Sequence, residues 1–288
     1  MHARAAKLAA MTRTPASLGG KPKAARADVG DLLRHWRQQR HLSQLDLATQ
    51  ADISTRHLSY METGRALPSR AMVLRLAERL AVPLRERNAL LVAAGYAPLY
   101  RQRSLDDPAL AAARQALEAV LKGHEPYPAL LVDRYWNLVS CNRAVPLFLR
   151  SLGLTLDGPV NVLRLSLDPQ GLAPHIINLR VWRHHLLERL QRQIEASGDP
   201  ELVALAESLH ALPAPEAPVT DGPLAPEASV VVPFEVQSPW GRLSFISTIT
   251  VFGTPVDITL SELALETFFP ADEATATVLR EVMAASPG

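Results

Sequence analysis

Residues 43–64 read SQLDLATQADISTRHLSYMETG, and no other stretch limits the possible fold so tightly. Two short helical runs each follow a serine, with a break of a few residues between them. Ser43 suits the N-cap of a helix over Gln44–Gln50, and Ser54 that of a helix over Thr55–Thr63 which Gly64 then stops. Helices crossing over so short a turn need a small residue where they touch, and Ala48 lies there. One turn position must tolerate a left-handed backbone. Asp52 occupies it, where glycine would be easier. Ile53, Leu58 and Met61 supply the apolar pins. With Leu58 and Met61 inward, the second helix turns Thr55, Arg56, Ser59, Tyr60 and Thr63 outward, at neighbour spacing.

That outward face suits a nucleic-acid groove. Arg56 has the fork needed to bond guanine O6 and N7 together, and Thr55 offers both a hydroxyl and a methyl group. Gln44 stands at the positive end of its helix, where unpaired amides attract a phosphate. Arg65 and Arg70 flank the exit of the second helix and are expected against the backbone. Phosphate contacts would position the module, and a few base contacts would specify sequence. Short helix pairs with an alanine at the crossing also occur in bundles that bind nothing, so spacing alone leaves both readings open. Arg37 and Glu62 are expected to pair inside the bundle.

Helical periodicity continues on both sides of this pair. Further helices are expected at about 29–40, at Arg70–Leu80 after Ser69, and at Leu84–Ala94 after Pro83. Residues 30–96 therefore read as a five-helix, all-α domain. Charge singles out the same region. Residues 1–103 hold 18 Lys+Arg against 7 Asp+Glu, and residues 104–288 hold 12 against 22, although the whole chain is only +1. A basic first third with an acidic remainder is the footprint of a polyanion binder. Residues 1–28 are basic and lack an apolar core, which fits a disordered arm; a transit peptide is the competing reading. No apolar run approaches the ~20 residues of a membrane span. The single cysteine, Cys141, excludes an internal disulfide framework and fits a reducing cytoplasm.

Beyond residue 97 the pattern becomes mixed. A helix is expected at about 107–122, then short strands in ALLVD and NLVSC. Asn142 is a candidate N-cap for a helix reaching about Leu152. Residues 178–197 repeat Leu179, Trp182, Leu186, Leu190 and Ile194 at helical spacing, and another helix covers 200–211. Residues 212–229 contain five prolines and read as a flexible loop. Three strands are expected at 230–237, 242–252 and 255–268. The last changes phase, which a β-bulge near Ser261 would explain. Strands with helices on one face make an α+β domain over 105–285.

Two resemblances bear on function. LLRHWRQQRHLSQLDLATQADISTRHLSYMETGRALPSRAM, with SQLDLA, ETGR and PSR as its marks, resembles the Cro/C1-type (XRE) helix-turn-helix family. That similarity implies DNA contacts by Gln44, Thr55, Arg56 and Tyr60, and an internal Arg37–Glu62 ion pair. Asp52 departs from the family's usual glycine. DRYWNLVSCNRA, PVNVLRLSLDPQGLAPHI and LSFISTITVFGTPVDITLSELALETFFP resemble the MmyB-like ligand-binding domain. This implies a PAS-like sheet, a sensory pocket and a fatty-acyl-like effector.

For such a pocket, Trp136, Leu138, Phe148, Leu163, Trp182, Phe245, Ile249 and Leu263 are candidate lining residues. Asn142, Asn161, Arg164 and Thr248 are candidate polar anchors. Core packing, or helix capping for the asparagines, is the plainer reading of each. His184 and His185 point about 100° apart on a helix and cannot share a metal as an i,i+4 pair does. No metal, catalytic residue or cofactor is expected. The chain therefore reads as a cytoplasmic, nucleoid-associated DNA-binding regulator, a homodimer on double-stranded DNA with a small apolar effector. The alternative is a DNA-binding protein whose second domain only dimerises or docks a partner.

Overall fold

The computed structural model describes residues 28–213, 232–253 and 256–286. All but the edges of the expected arm (1–28) and of the Pro-rich loop (212–229) lie outside the described residues. The first domain holds five helices: α1 Val29–Gln39, α2 Gln44–Gln50, α3 Thr55–Glu62, α4 Arg70–Arg79 and α5 Leu84–Ala93. Asp28, Ser43, Ser54 and Ser69 each accept a first-turn backbone N–H from α1, α2, α3 and α4 in turn. Such caps are worth about 1 kcal/mol apiece. At α2, Asp46 also accepts from the Ser43 backbone, completing a capping box. Asp52 takes φ 53°, the left-handed turn that the α2–α3 crossing requires.

Leu33, Leu47, Leu58, Met61, Leu76, Leu80, Leu90 and Leu91 are wholly buried and form one core. Helices α1 and α3 approach so closely that a Cβ on Gly30 would lie 2.5 Å from the Met61 carbonyl oxygen. Glycine is required there by backbone contact. At the same crossing Arg37 Nε and Nη2 donate to the two Glu62 oxygens at 2.7 and 2.8 Å.

The second domain opens with α6 Ala111–Gly123, after a single 3₁₀ turn, and the hairpin β1 Ala129–Val132 with β2 Leu138–Cys141. There follow α7 Ala144–Ser151, α8 Val162–Leu167, α9 Leu179–Ser197 and α10 Pro200–His210. Strands β3 Phe234–Ser238 and β4 Gly241–Val251, the short helix α11 Ile258–Ser261, β5 Ala264–Pro270 and α12 Glu273–Ala285 complete it. The sheet order is β2-β1-β5-β4-β3, with every neighbouring pair antiparallel. One face carries Leu130, Val132, Phe234, Leu243, Phe245 and Phe268 into the main core with α7, α8, α9 and α10. The opposite face packs Ala129, Leu131 and Leu265 on Leu117 and Leu121 of α6. The chain is thus an all-α domain followed by an α+β domain.

Three expectations need correction. The phase change before Leu263 comes from α11 rather than a β-bulge. Asp257 caps this turn by accepting from Thr259 N, and it also pairs with Arg103 of the interdomain linker at 2.9 Å. Asn142 does not cap α7, which starts after Arg143 without a side-chain cap. Helices cover both faces of the sheet rather than one, since α6 lies on the face opposite α7–α10.

The two domains touch through α9, α11 and the β1–β2 turn. Gln39 and Arg40 at the end of α1 donate to the carbonyls of Glu195 and Ala196 at the end of α9, both at 3.0 Å. Arg85 of α5 grips Glu262 through two bonds of 2.8 Å. The same carboxylate takes Arg134 Nη1 at 2.9 Å, and Arg134 also pairs with Asp199.

Candidate functional site

On α3, Leu58 and Met61 are 0% exposed, which forces the opposite face outward. Arg56 is exposed there, with Thr55, Ser59 and Tyr60 half-buried around it. Arg56 Nε donates to the Tyr60 hydroxyl at 2.9 Å, and its guanidinium carbon lies 5.3 Å from the Tyr60 ring centroid. Arg65 approaches the same ring at 5.9 Å. With Nε occupied, the two terminal nitrogens of Arg56 remain, and they are the pair that spans guanine O6 and N7. The Thr63 hydroxyl is turned back to the Ser59 carbonyl at 2.7 Å and leaves the reading face. Arg70, exposed, begins α4.

Gln44 Nε2 donates to Glu62 Oε2 at 2.8 Å. This fixes the amide against the buried ion pair and leaves it a second N–H for an outside acceptor. The Glu62 carboxyl feels opposing influences. Burial pushes it up. Hydrogen bonds from Arg37 and Gln44, with the charges of Arg37 and Arg34, outweigh burial and hold it below the usual carboxylate range.

The second domain encloses an apolar cavity of ≈ 70 Å³ between the sheet and α7, α8 and α9. Leu138 of β2, Phe148 of α7, Leu163 of α8, Trp182 of α9 and Phe245 of β4 line it, as the sequence suggested. The remaining candidates fall elsewhere, for identifiable reasons. Trp136, Ile249 and Leu263 line a separate cleft beside Pro83 and Glu86 of the first domain. Thr248 bonds Thr267 at 2.7 Å on the sheet face opposite the cavity, because strand parity sends it away from Phe245. Asn142 is buried but fastens backbone: it accepts from Ala129 N and donates to the carbonyls of Leu121 and Tyr127. Asn161 caps α8 through Arg164 N and donates to the Tyr135 carbonyl. Arg164 bonds Ser208 outside the cavity.

Sequence reasoning passed over two charged residues here. Glu266 of β5 lines the cavity at 4% exposure, and Arg189 of α9 meets its Oε1 with both terminal nitrogens at 3.2 Å. Arg189 also lies over the Trp136 ring, 4.2 Å from its centroid. The signal was present. Ala264, Glu266 and Phe268 share one parity of a buried strand, and Trp182, Leu186, Arg189 and Gln193 recur at spacings of three and four.

Burial pushes the Cys141 thiol up, away from the reactive thiolate. Among the described residues no three His, Cys, Asp or Glu side chains gather as metal ligands, and no helix is long and apolar enough to cross a membrane.

The first domain has the geometry of a helix-turn-helix module, which places the chain among DNA-binding proteins. Comparison agrees: residues 28–90 match the family model described as a helix-turn-helix domain. Residues 113–282 match that of the MmyB-like transcription regulator ligand binding domain, so the chain belongs to the MmyB-like transcription regulators. Comparison with curated proteins returned no match.

Proposed function

We propose that this regulator reads a specific operator through α3, as a homodimer in the cytoplasm, and that a small apolar effector in the second-domain cavity modulates that binding. The observation that carries the reading is the outward Arg56, held by Tyr60 above the buried Leu58 and Met61. Thr55 and Ser59 would complete base readout. Gln44, Arg65 and Arg70 would anchor phosphates. Two modules reach half-sites about one helical turn, ~34 Å, apart, which is the reason for a dimer. In vitro selection from random duplexes tests this directly. Arg56→Ala is expected to cost roughly 1–3 kcal/mol on the selected site and to relax one position of it. An unchanged site and affinity would remove Arg56 from base readout.

The cavity wall supports an apolar effector, being hydrocarbon and aromatic apart from Glu266 and Ser166. At ~10–15 Å³ per water-sized sphere, the cavity of ≈ 70 Å³ has room for about five to seven. A long fatty-acyl chain therefore requires α7 or α8 to move outward, whereas a short chain needs little adjustment.

Helix α9 supports a route between the two sites. Trp182 and Leu186 line the cavity, Gln193 holds the Trp136 indole and the Arg134 carbonyl, and the final carbonyls receive α1. Glu262 braces the same junction from α11. A ligand shifts this arrangement only by its differential affinity for two placements of the domains. Glu262→Gln weakens both the Arg85 and the Arg134 pairing. Amide exchange at the α5 and α11 junction should then rise about tenfold, equivalent to ~1.4 kcal/mol. Unchanged exchange there would deny Glu262 a bracing role.

A further inference from the structure

We infer that the cavity selects an effector with an uncharged head group that donates a hydrogen bond, such as an alcohol or a primary amide on a short apolar chain. This rests on the reading of the cavity as an effector site and adds the chemistry of the head. The lining has two polar features, the Glu266 carboxylate and the Ser166 hydroxyl. The Glu266 side chain is 6% exposed, with Leu130 as its register partner on β1 and Ala264 and Phe268 on its own face of β5. Both hydrogen bonds from Arg189 fall on Oε1. Among the described residues Oε2 receives none, so an acceptor oxygen stands unused in the wall of an apolar space. Ser166 Oγ lies 3.5 Å from Trp182 Nε1 as that group's acceptor, which keeps its own hydrogen available. The polar features of the wall thus offer an acceptor and a donor, complementary to a hydroxyl or amide.

Charge decides against the other heads. Glu266 and Arg189 together are neutral, and Arg189 is further engaged with Trp136. A carboxylate head would face Glu266 in a poorly solvated space, and Arg189, whose Nε is buried without a hydrogen-bond partner among the described residues, lines the neighbouring cleft rather than this cavity. An ammonium head would leave the site with a net positive charge beside Arg189. Either ion gives up water for a site whose charges already cancel, while an uncharged donor loses far less on entry.

The test uses the full chain and four six-carbon probes: hexan-1-ol, hexanamide, hexanoate and hexylamine. At about pH 7.5 the last two are ionised. Dissociation constants are read from the Trp182 indole N–H signal, assigned with Trp182→Phe. Hexan-1-ol and hexanamide should bind about tenfold or more tighter than either ion. In Glu266→Gln the guanidinium loses its counter-charge, and hexanoate should overtake hexylamine by a similar factor. Leu163→Trp, which fills the cavity, should abolish the response to all four. Equal affinities, or tighter binding of either ion by the unaltered chain, would overturn the head-group selection while leaving an apolar effector site in place. No response to any probe would overturn the effector site itself. Should Glu266→Gln fail to fold, the ranking in the unaltered chain still decides.

Discussion

Glu62→Gln is expected to lower the stability of the helix-turn-helix domain by about 3–5 kcal/mol, the usual result of removing one partner from a buried ion pair. The Glu62 side chain is 0% exposed, and Arg37, its bidentate partner, is 12% exposed. Gln44 bonds the same carboxylate, and the Arg34 guanidinium lies 3.8 Å from it. An amide of the same shape offers one acceptor oxygen in place of two and no charge, so it strands Arg37 between α1 and α3. Replacing both partners by leucine removes the stranded charge as well, and should recover most of the loss. The effect also has a direction in pH. Because the folded-state carboxyl lies below its unfolded value, its contribution is fully present above the unfolded value and is lost as pH falls through the folded one. The difference between the natural chain and Glu62→Gln should therefore be largest near neutrality and shrink in acid. Thermal unfolding followed by helical circular dichroism across that range checks both statements. A loss below 1 kcal/mol at neutral pH would mean that the pair contributes little beyond its hydrogen bonds.

The same carboxylate shows why the first domain was legible in the sequence and much of the second was not. Short helices announce themselves through their caps. Ser43, Ser54 and Ser69 each mark a start, and the 3.6-residue period then fixes which side chains point inward. Glu62 was identifiable because Leu58 and Met61 place it at the inner end of α3. In the second domain the decisive facts are parities and pairings set by distant segments. Thr248 and Phe245 lie three residues apart on β4, and only the strand's alternation puts them on opposite faces. Asn142 looks like a helix cap locally, yet its partners are Leu121, Tyr127 and Ala129, which the fold brings beside it. Residues 256–260 alternate like a strand, but Asp257 stops them by capping α11 and clasping Arg103 across 154 positions. Glu266 had a readable signal, a charge at an inward parity between apolar neighbours, whereas its partner on α9 depended on how that helix lies over the sheet.

Phe245→Ala should be the most disruptive change in the second domain, costing about 3–5 kcal/mol. The ring is 1% exposed at the centre of an aromatic cluster, with the centroids of Phe148, Phe234 and Phe268 at 6.2, 6.1 and 6.3 Å. Truncation loses the transfer free energy of a benzyl group, three edge or tilted ring contacts, and whatever volume the wall cannot close. The sheet fixes one side of that volume through the β3–β4–β5 ladder, and α9 fixes another through its contacts with α1, so the space should collapse only in part. Rescue measures how far it does. The enlarged cavity should admit toluene, and a ligand at a hundred times its dissociation constant restores about 2.7 kcal/mol. Calorimetric unfolding with and without toluene tests this. A persistent hole gives a large loss that toluene largely repairs. A collapsed one gives a loss near the low end that toluene does not touch, and would place the mobility of the cavity in α7 and α8, which among the described residues make no hydrogen bond to the first domain. Because α9 is tied at its start to Pro233 and Glu235 through Asn178 and at its end to α1, the persistent hole is the expected result on the α9 side, and any adjustment to a longer effector should come from α7 and α8.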